Sequence, residues 1–177
     1  AIDQVRDRCT WGEGFGDAPF FEGEVEPCIN GRVLAIGAYF GEASDRLVDR
    51  MLQEQLSPPI ELFVSPIDVI LSPHDVVQPD LVVVDNPSQV SNRGIEGGPL
   101  LVIEVLSPTS TAYDRTTKSH RYATLGIPHY WIVDPDSRRL ECYRREGTIY
   151  QPVTSAGPED TLTHPDFPAI RFPLSKL

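Results

Sequence analysis

The sequence is short of lysine, cysteine and long apolar runs, and each shortage narrows what the chain can be. Three cysteines occur, Cys9, Cys28 and Cys142, an odd number at wide spacing. They form no CxxC pair, which excludes a zinc ribbon and a dithiol redox motif. They read as reduced, buried thiols of a cytoplasmic protein. No apolar stretch approaches the length of a membrane span, and the purest run is only Leu81–Val84. No basic cluster precedes an apolar block at the start, so neither a secretory leader nor a membrane partner is expected. Repeats and low-complexity tracts are absent. The four histidines, His74, His120, His129 and His164, show no metal-ligand spacing.

What is present begins with acid. The 177 residues carry a net charge of −11, which disfavours a protein that scans DNA by charge alone. Residues 1–113 hold 6 basic and 18 acidic groups, whereas residues 114–177 hold 9 and 8. A nucleic-acid face, if built, belongs to the later part, as a local basic groove in an acidic protein. The length fits a single domain spanning 1–177, and 17 prolines punctuate its strands and loops.

Residues 1–27 are loop-rich, interrupted by Gly12, Gly14, Gly16, Pro19 and Gly23. Arg32–Ala38 reads as a strand after an Asn30-Gly31 turn, and Glu42–Leu56 as a helix stopped by Pro58-Pro59. Ile60–Val64 and Ile67–Leu71 are short strands. Asp80–Val84 and Leu100–Val105 are almost continuously apolar, as strands covered on both faces are. A 15-residue loop, Asp85–Pro99, separates them. Thr111–Leu125 is a second helix, ended by Gly126 and Pro128. Tyr130–Val133, Leu140–Tyr143 and Thr148–Val153 are further strands, and the tail adds one or two short ones. The pattern predicts an α/β (α+β) protein, a mixed central sheet flanked by helices with extra C-terminal strands.

If Asp80–Val84 runs antiparallel to Leu100–Glu104, residues whose numbers sum to 184 face each other. Val82 then opposes Val102, and Asp80 opposes Glu104 at the open end. Period-2 alternation puts both carboxylates on the face of their even-numbered apolar neighbours. Facing carboxylates raise each other's pKa unless a cation lies between them. Mg²⁺, or Mn²⁺, suits such oxygens, and the Val105 carbonyl offers one more. The bland alternative is a pair of strand ends meeting solvent.

Against 13 arginines stand two lysines, Lys118 and Lys176. Lys118 lies on the helix after the Glu104 strand, where a compact ammonium can sit beside a phosphate oxygen and a water nucleophile. A surface pairing with Asp114 at i, i+4 is the alternative. Ser107 and Ser110 read as helix caps and loop hydrogen-bond formers, Trp131 as core, and Arg138, Arg139, Arg144 and Arg145 as solvated surface, a phosphate contact or support for a dimer.

The segments VVQPDLVVVD and PLLVIEVLSPTSTAYDRTTKSHRYATLGIPHYWIVDP resemble a widespread bacterial restriction-endonuclease-like family of the PD-(D/E)XK nuclease superfamily. The resemblance spans Val76 to Tyr143, with a looser match in the preceding elements and in FPAIRFPL. It implies a restriction-endonuclease-like αβββαβ core, with Asp80 and Glu104 as metal ligands. The superfamily lysine stands two residues after the acid, where this chain has Leu106. The family recruits a lysine from the following helix, and Lys118 occupies that place. Tyr122, one turn on, is implied to bond a phosphate or to orient Lys118. Ser44 stands near an expected histidine, and the family's N-terminal acid is not matched to any particular one of Glu22, Glu24 and Glu26.

The expected function is therefore a Mg²⁺-dependent endonuclease hydrolysing phosphodiester bonds in DNA, with Asp80, Glu104 and Lys118 catalytic and a homodimer to cut both strands. The alternative is a non-catalytic nucleic-acid-binding or interaction module that keeps the fold.

Overall fold

The computed structural model describes residues 55–107 and 110–176, all within one compact unit, Val48–Leu177. The strand expected at 32–38, the helix at 42–56 apart from its last two residues, Ser44 and the N-terminal glutamates lie outside the described residues. Within them, a six-stranded sheet is ordered β1-β4-β7-β8-β9-β10. Its strands are β1 (Glu61–Val64), β4 (Leu81–Val84), β7 (Leu101–Val105), β8 (His129–Asp134), β9 (Arg139–Glu146) and β10 (Ile149–Ala156). Only β7 and β8 run parallel; the other neighbours are antiparallel. A parallel pair needs a crossover, and the helical segment 111–124 supplies it.

The central strands are apolar on both faces because both faces are covered. Every residue of β4 is buried, as are Leu101–Glu104 of β7 and His129–Val133 of β8. On the even-numbered face Val102, Leu106, Tyr122, Ile127, Tyr130 and Ile132 form one core cluster. The register of β4 on β7 is Leu81↔Ile103, Val82↔Val102 and Val83↔Leu101, as the sum of 184 requires.

The crossover is not a plain α-helix. α1 (Thr111–Tyr113) passes into a π-helical turn, Asp114–Lys118, and then into α2 (Ser119–Thr124). The Tyr130 hydroxyl donates to the Asp114 carbonyl (3.1 Å), giving a backbone oxygen of the wide turn a partner. α2 ends at Gly126, whose φ of 93° is the left-handed conformation of a helix stop. The Ser110 side chain makes no capping bond to the helix; its Oγ accepts the Ser107 amide (3.2 Å), a loop hydrogen bond of the kind expected of these two serines.

The segment expected as one long loop, Asp85–Pro99, carries structure of its own. β5 (Val90–Ser91) pairs with β6 (Gly94–Glu96), and β6 lies parallel to β2 (Val69–Ser72), which also pairs with β3 (Asp75–Val77). Ile95, fully buried, anchors this four-stranded sheet. Gly94 has no alternative there: its φ is 129°, and any Cβ would collide with the Asp68 backbone carbonyl. In the tail, β11 (Thr161–Thr163) pairs with β12 (Arg171–Pro173). No helix among the described residues is long and apolar enough to cross a membrane.

Candidate active site

Glu104 is the penultimate residue of β7 and points into the core face beneath the helix. Only 1% of it is exposed. The helix brings three polar side chains towards it at four-residue spacing, Asp114, Lys118 and Tyr122. Lys118 Nζ lies 2.8 Å from Glu104 Oε2 and 2.8 Å from Asp114 Oδ1. The Tyr122 hydroxyl donates to Glu104 Oε1 at 2.6 Å. Tyr122 therefore holds the carboxylate, rather than Lys118 or an open phosphate position.

Asp80 stands immediately before β4, as the register places it. Its Oδ2 accepts the Val105 amide (2.8 Å), and its carboxyl is within hydrogen-bonding reach of Glu104. Within a strand, the N–H and C=O of one residue leave on the same side, so the Val105 carbonyl is directed to the Asp80 side as well. Asp80, Glu104, Val105, Lys118 and Tyr122 are thus all brought to one place. Leu106 is buried in the core cluster with Tyr122 and Ile127, so its position carries packing and no charge.

The electrostatics follow from burial. Removal from water pushes the Glu104 carboxyl up to about 8, and the nearby Asp80 adds to this, while Lys118 and Tyr122 oppose it. Burial also raises Asp80, against the bond from the Val105 amide. For Lys118 burial acts downward, but Glu104 and Asp114 outweigh it and hold the ammonium above its ordinary value. Tyr122 is raised by burial and by Glu104, so its hydroxyl remains a donor. The Asp80 and Glu104 carboxyls and the Val105 carbonyl are hard oxygen donors of the kind that suits Mg²⁺ or Mn²⁺, with the Lys118 ammonium beside them as a cation and not as a ligand.

The sequence reading missed two features. Asp114 is no surface partner: it is 1% exposed and makes Lys118 the bridge between two buried carboxylates. His129 and His164, far apart in sequence, meet on the other face of the sheet with ring centroids 5.8 Å apart. Burial lowers both imidazoles, His164 to about 4, and leaves them neutral at neutral pH. Only the four-residue spacing of Asp114, Lys118 and Tyr122 was a readable signal for the first. Of the remaining expectations, Trp131 is core, Arg144 pairs with Asp166 (3.0 Å), and Cys142 is a buried free thiol.

A mixed sheet with a helical crossover between its parallel pair, carrying an acidic cluster at its strand ends, defines a restriction-endonuclease-like α+β fold. The chain belongs to the Uma2 family, whose model, described as "Putative restriction endonuclease", matches residues 25–175. Among solved structures it is similar to a crystal structure titled "a putative nuclease belonging to DUF820" from Anabaena variabilis. That likeness has a TM-score of 0.51 at 17% identity, over 75% of this chain and 73% of the other, and shows the shared fold. No curated protein matches the sequence.

Proposed function

We propose that the protein is a Mg²⁺-dependent endonuclease that hydrolyses phosphodiester bonds in DNA, with Asp80, Glu104 and Lys118 as its catalytic residues. The observation that carries this reading is the single ammonium of Lys118, held 2.8 Å from a buried carboxylate that also touches Asp80. In such a site Asp80, Glu104 and the Val105 carbonyl would hold the ion, which when bound would supply Lewis-acid polarisation of the scissile phosphate. Lys118 offers its one remaining proton to a non-bridging phosphate oxygen or to the attacking water, and its charge stabilises the charge that grows in the transition state. Asp114 fixes the direction of Lys118, and Tyr122 fixes Glu104. Because Lys118 comes from the helix, a leucine at position 106 is compatible with this chemistry.

The test is cleavage of plasmid and single-stranded DNA with Mg²⁺ or Mn²⁺, comparing the protein with Lys118→Ala and Asp80→Asn. Loss of cleavage in both variants is the expected result; equal cleavage by all three assigns the activity to a contaminant. The net charge of −11 favours a second reading, a nucleic-acid-binding module without turnover. DNA affinity that persists in EDTA, with no cleavage under any metal, would select that reading. A homodimer with two symmetric sites remains part of the proposal, checked by sedimentation.

A further inference from the structure

The face of β8 turned away from the helix carries a second group of metal-ligating side chains. His129, His164 and Asp166 each bring one ligand atom, and these atoms lie within 4.8 Å of one another. His129 opens β8 opposite Leu101, whereas Glu104 is level with Ile132. Three residues of strand, about 10 Å, and the thickness of the sheet therefore separate this group from the carboxylate site. The two are independent.

Its members are placed as ligands are. His129 is 8% and His164 3% exposed. Among the described residues, neither His129 Nδ1 nor His164 Nε2 has a hydrogen-bond partner, a costly state for a buried ring nitrogen. Phe167 and Trp131 pack around the imidazoles, with ring centroids 4.7 Å from His129 and 5.3 Å from His164 respectively. The Asp166 carboxylate is 4.0 Å from His129 Nδ1, too far for a hydrogen bond and close enough to share an ion. Arg144 donates to both oxygens of that carboxylate, at 3.0 and 3.2 Å, from an exposed position.

We infer that His129, His164 and Asp166 form a second metal site, for a divalent transition-metal ion of the zinc type, and that Arg144 neutralises Asp166 when no ion is bound. Two neutral imidazoles and one carboxylate, with water as a fourth ligand, are a donor set for zinc and not for magnesium, which avoids nitrogen. Zinc bonds of roughly 2.0–2.2 Å require the three ligand atoms to draw together. Either nitrogen of His164 serves, and in both cases its contact from the Asp166 amide (3.1 Å) is given up. The ion would tie the segment between β11 and β12, which carries His164 and Asp166, to the start of β8.

The experiment uses the full chain carrying Glu104→Gln, so that the carboxylate site contributes little, and Zn²⁺ alone as probe. Calorimetry should find about one equivalent bound. At a hundredfold excess over Kd the melting temperature should rise by about 5 °C or more, and Mg²⁺ should do neither. Co²⁺ in place of Zn²⁺ should give the visible absorption of a tetrahedral nitrogen–oxygen site. His164→Gln and Asp166→Asn should each weaken Zn²⁺ at least about tenfold. Asp166 is exposed enough that its variant tests ligation even if His164→Gln fails to fold. Arg144→Gln should tighten binding, because the competing cation is gone. Absence of Zn²⁺ binding, or unchanged affinity in Asp166→Asn, overturns the site. Weaker binding in Arg144→Gln overturns the role given to the arginine.

Discussion

The two faces of β8 differ in how their buried polar groups are satisfied. On the even-numbered face, Tyr130 and Ile132 look towards the helix, and the polar groups there are paired, although Asp114 Oδ1 has the Lys118 ammonium at 2.8 Å as an ion pair without a well-directed hydrogen bond. Glu104 has Lys118 and Tyr122, Asp114 has Lys118, and Tyr130 has the Asp114 carbonyl. On the odd-numbered face, three buried ring nitrogens among the described residues have no partner: His129 Nδ1, Trp131 Nε1 and His164 Nε2. One face concentrates charge and organises it; the other concentrates aromatic volume and leaves its nitrogens open. Charge in a dry environment is tolerated only when paired, and its pairing fixes direction, which chemistry needs. Aromatic packing fixes the two imidazoles without consuming their ring lone pairs, which leaves them for a ligand, whereas the Trp131 indole nitrogen is a donor only.

The largest expected effects would set the faces apart by what is lost. Glu104→Gln or Asp80→Asn should reduce cleavage by about 10²–10³-fold while leaving the melting temperature unchanged or higher, since crowded carboxylates oppose folding. Trp131→Ala, on the other face, should cost about 3–5 kcal/mol in urea unfolding from the cavity it leaves. A Trp131→Ala protein that folds as stably as the original would end the view of that face as core. Lys118→Met breaks the contrast deliberately, because it leaves Glu104 and Asp114 buried without their cation. It should abolish cleavage and also destabilise by about 3–5 kcal/mol, whereas a surface lysine would cost less than 1 kcal/mol.

Smaller effects sharpen the comparison. Tyr122→Phe removes the 2.6 Å bond to Glu104 and should cost about 1–2 kcal/mol of stability. It should also raise the Glu104 carboxyl further, seen as a shift of the pH dependence of Mg²⁺ binding to higher pH. That dependence has a definite sign. The Glu104 carboxyl is raised from 4.5 to about 8. Its protonated form thus contributes stability that is fully present below the ordinary value and lost as pH rises through about 8. Binding a cation needs the ionised form, so Mg²⁺ affinity should climb with pH, level off above about 8, and be accompanied by proton release. Melting curves from pH 5 to 9, with and without Mg²⁺, check both trends, and Glu104→Gln should flatten the Glu104 contribution.

Parts of this arrangement were legible because they rest on short-range rules. β4 and β7 are apolar runs without an interrupting bulge, so pairing Val82 with Val102 was enough to place Asp80 beside Glu104. The helix stop at Gly126 followed from glycine's access to a positive φ. The hairpin within Asp85–Pro99 was not legible, since strands of two and three residues carry too little periodicity, and one buried Ile95 is its only anchor. Asp114 looked like a solvent partner of Lys118 because i, i+4 spacing says nothing of depth.

The sequence by itself determined which side chains share a strand face and that a lone lysine follows the Glu104 strand, because both are consequences of local periodicity. Depth and convergence were decided only in three dimensions. The same Asp114–Lys118 pair is a surface ornament on an isolated helix and a buried bridge once Tyr122 packs over Glu104. His129 and His164 lie 35 positions apart and meet because the tail folds across β8. Burial turns these neighbours into sites by removing the water that would otherwise satisfy each group alone.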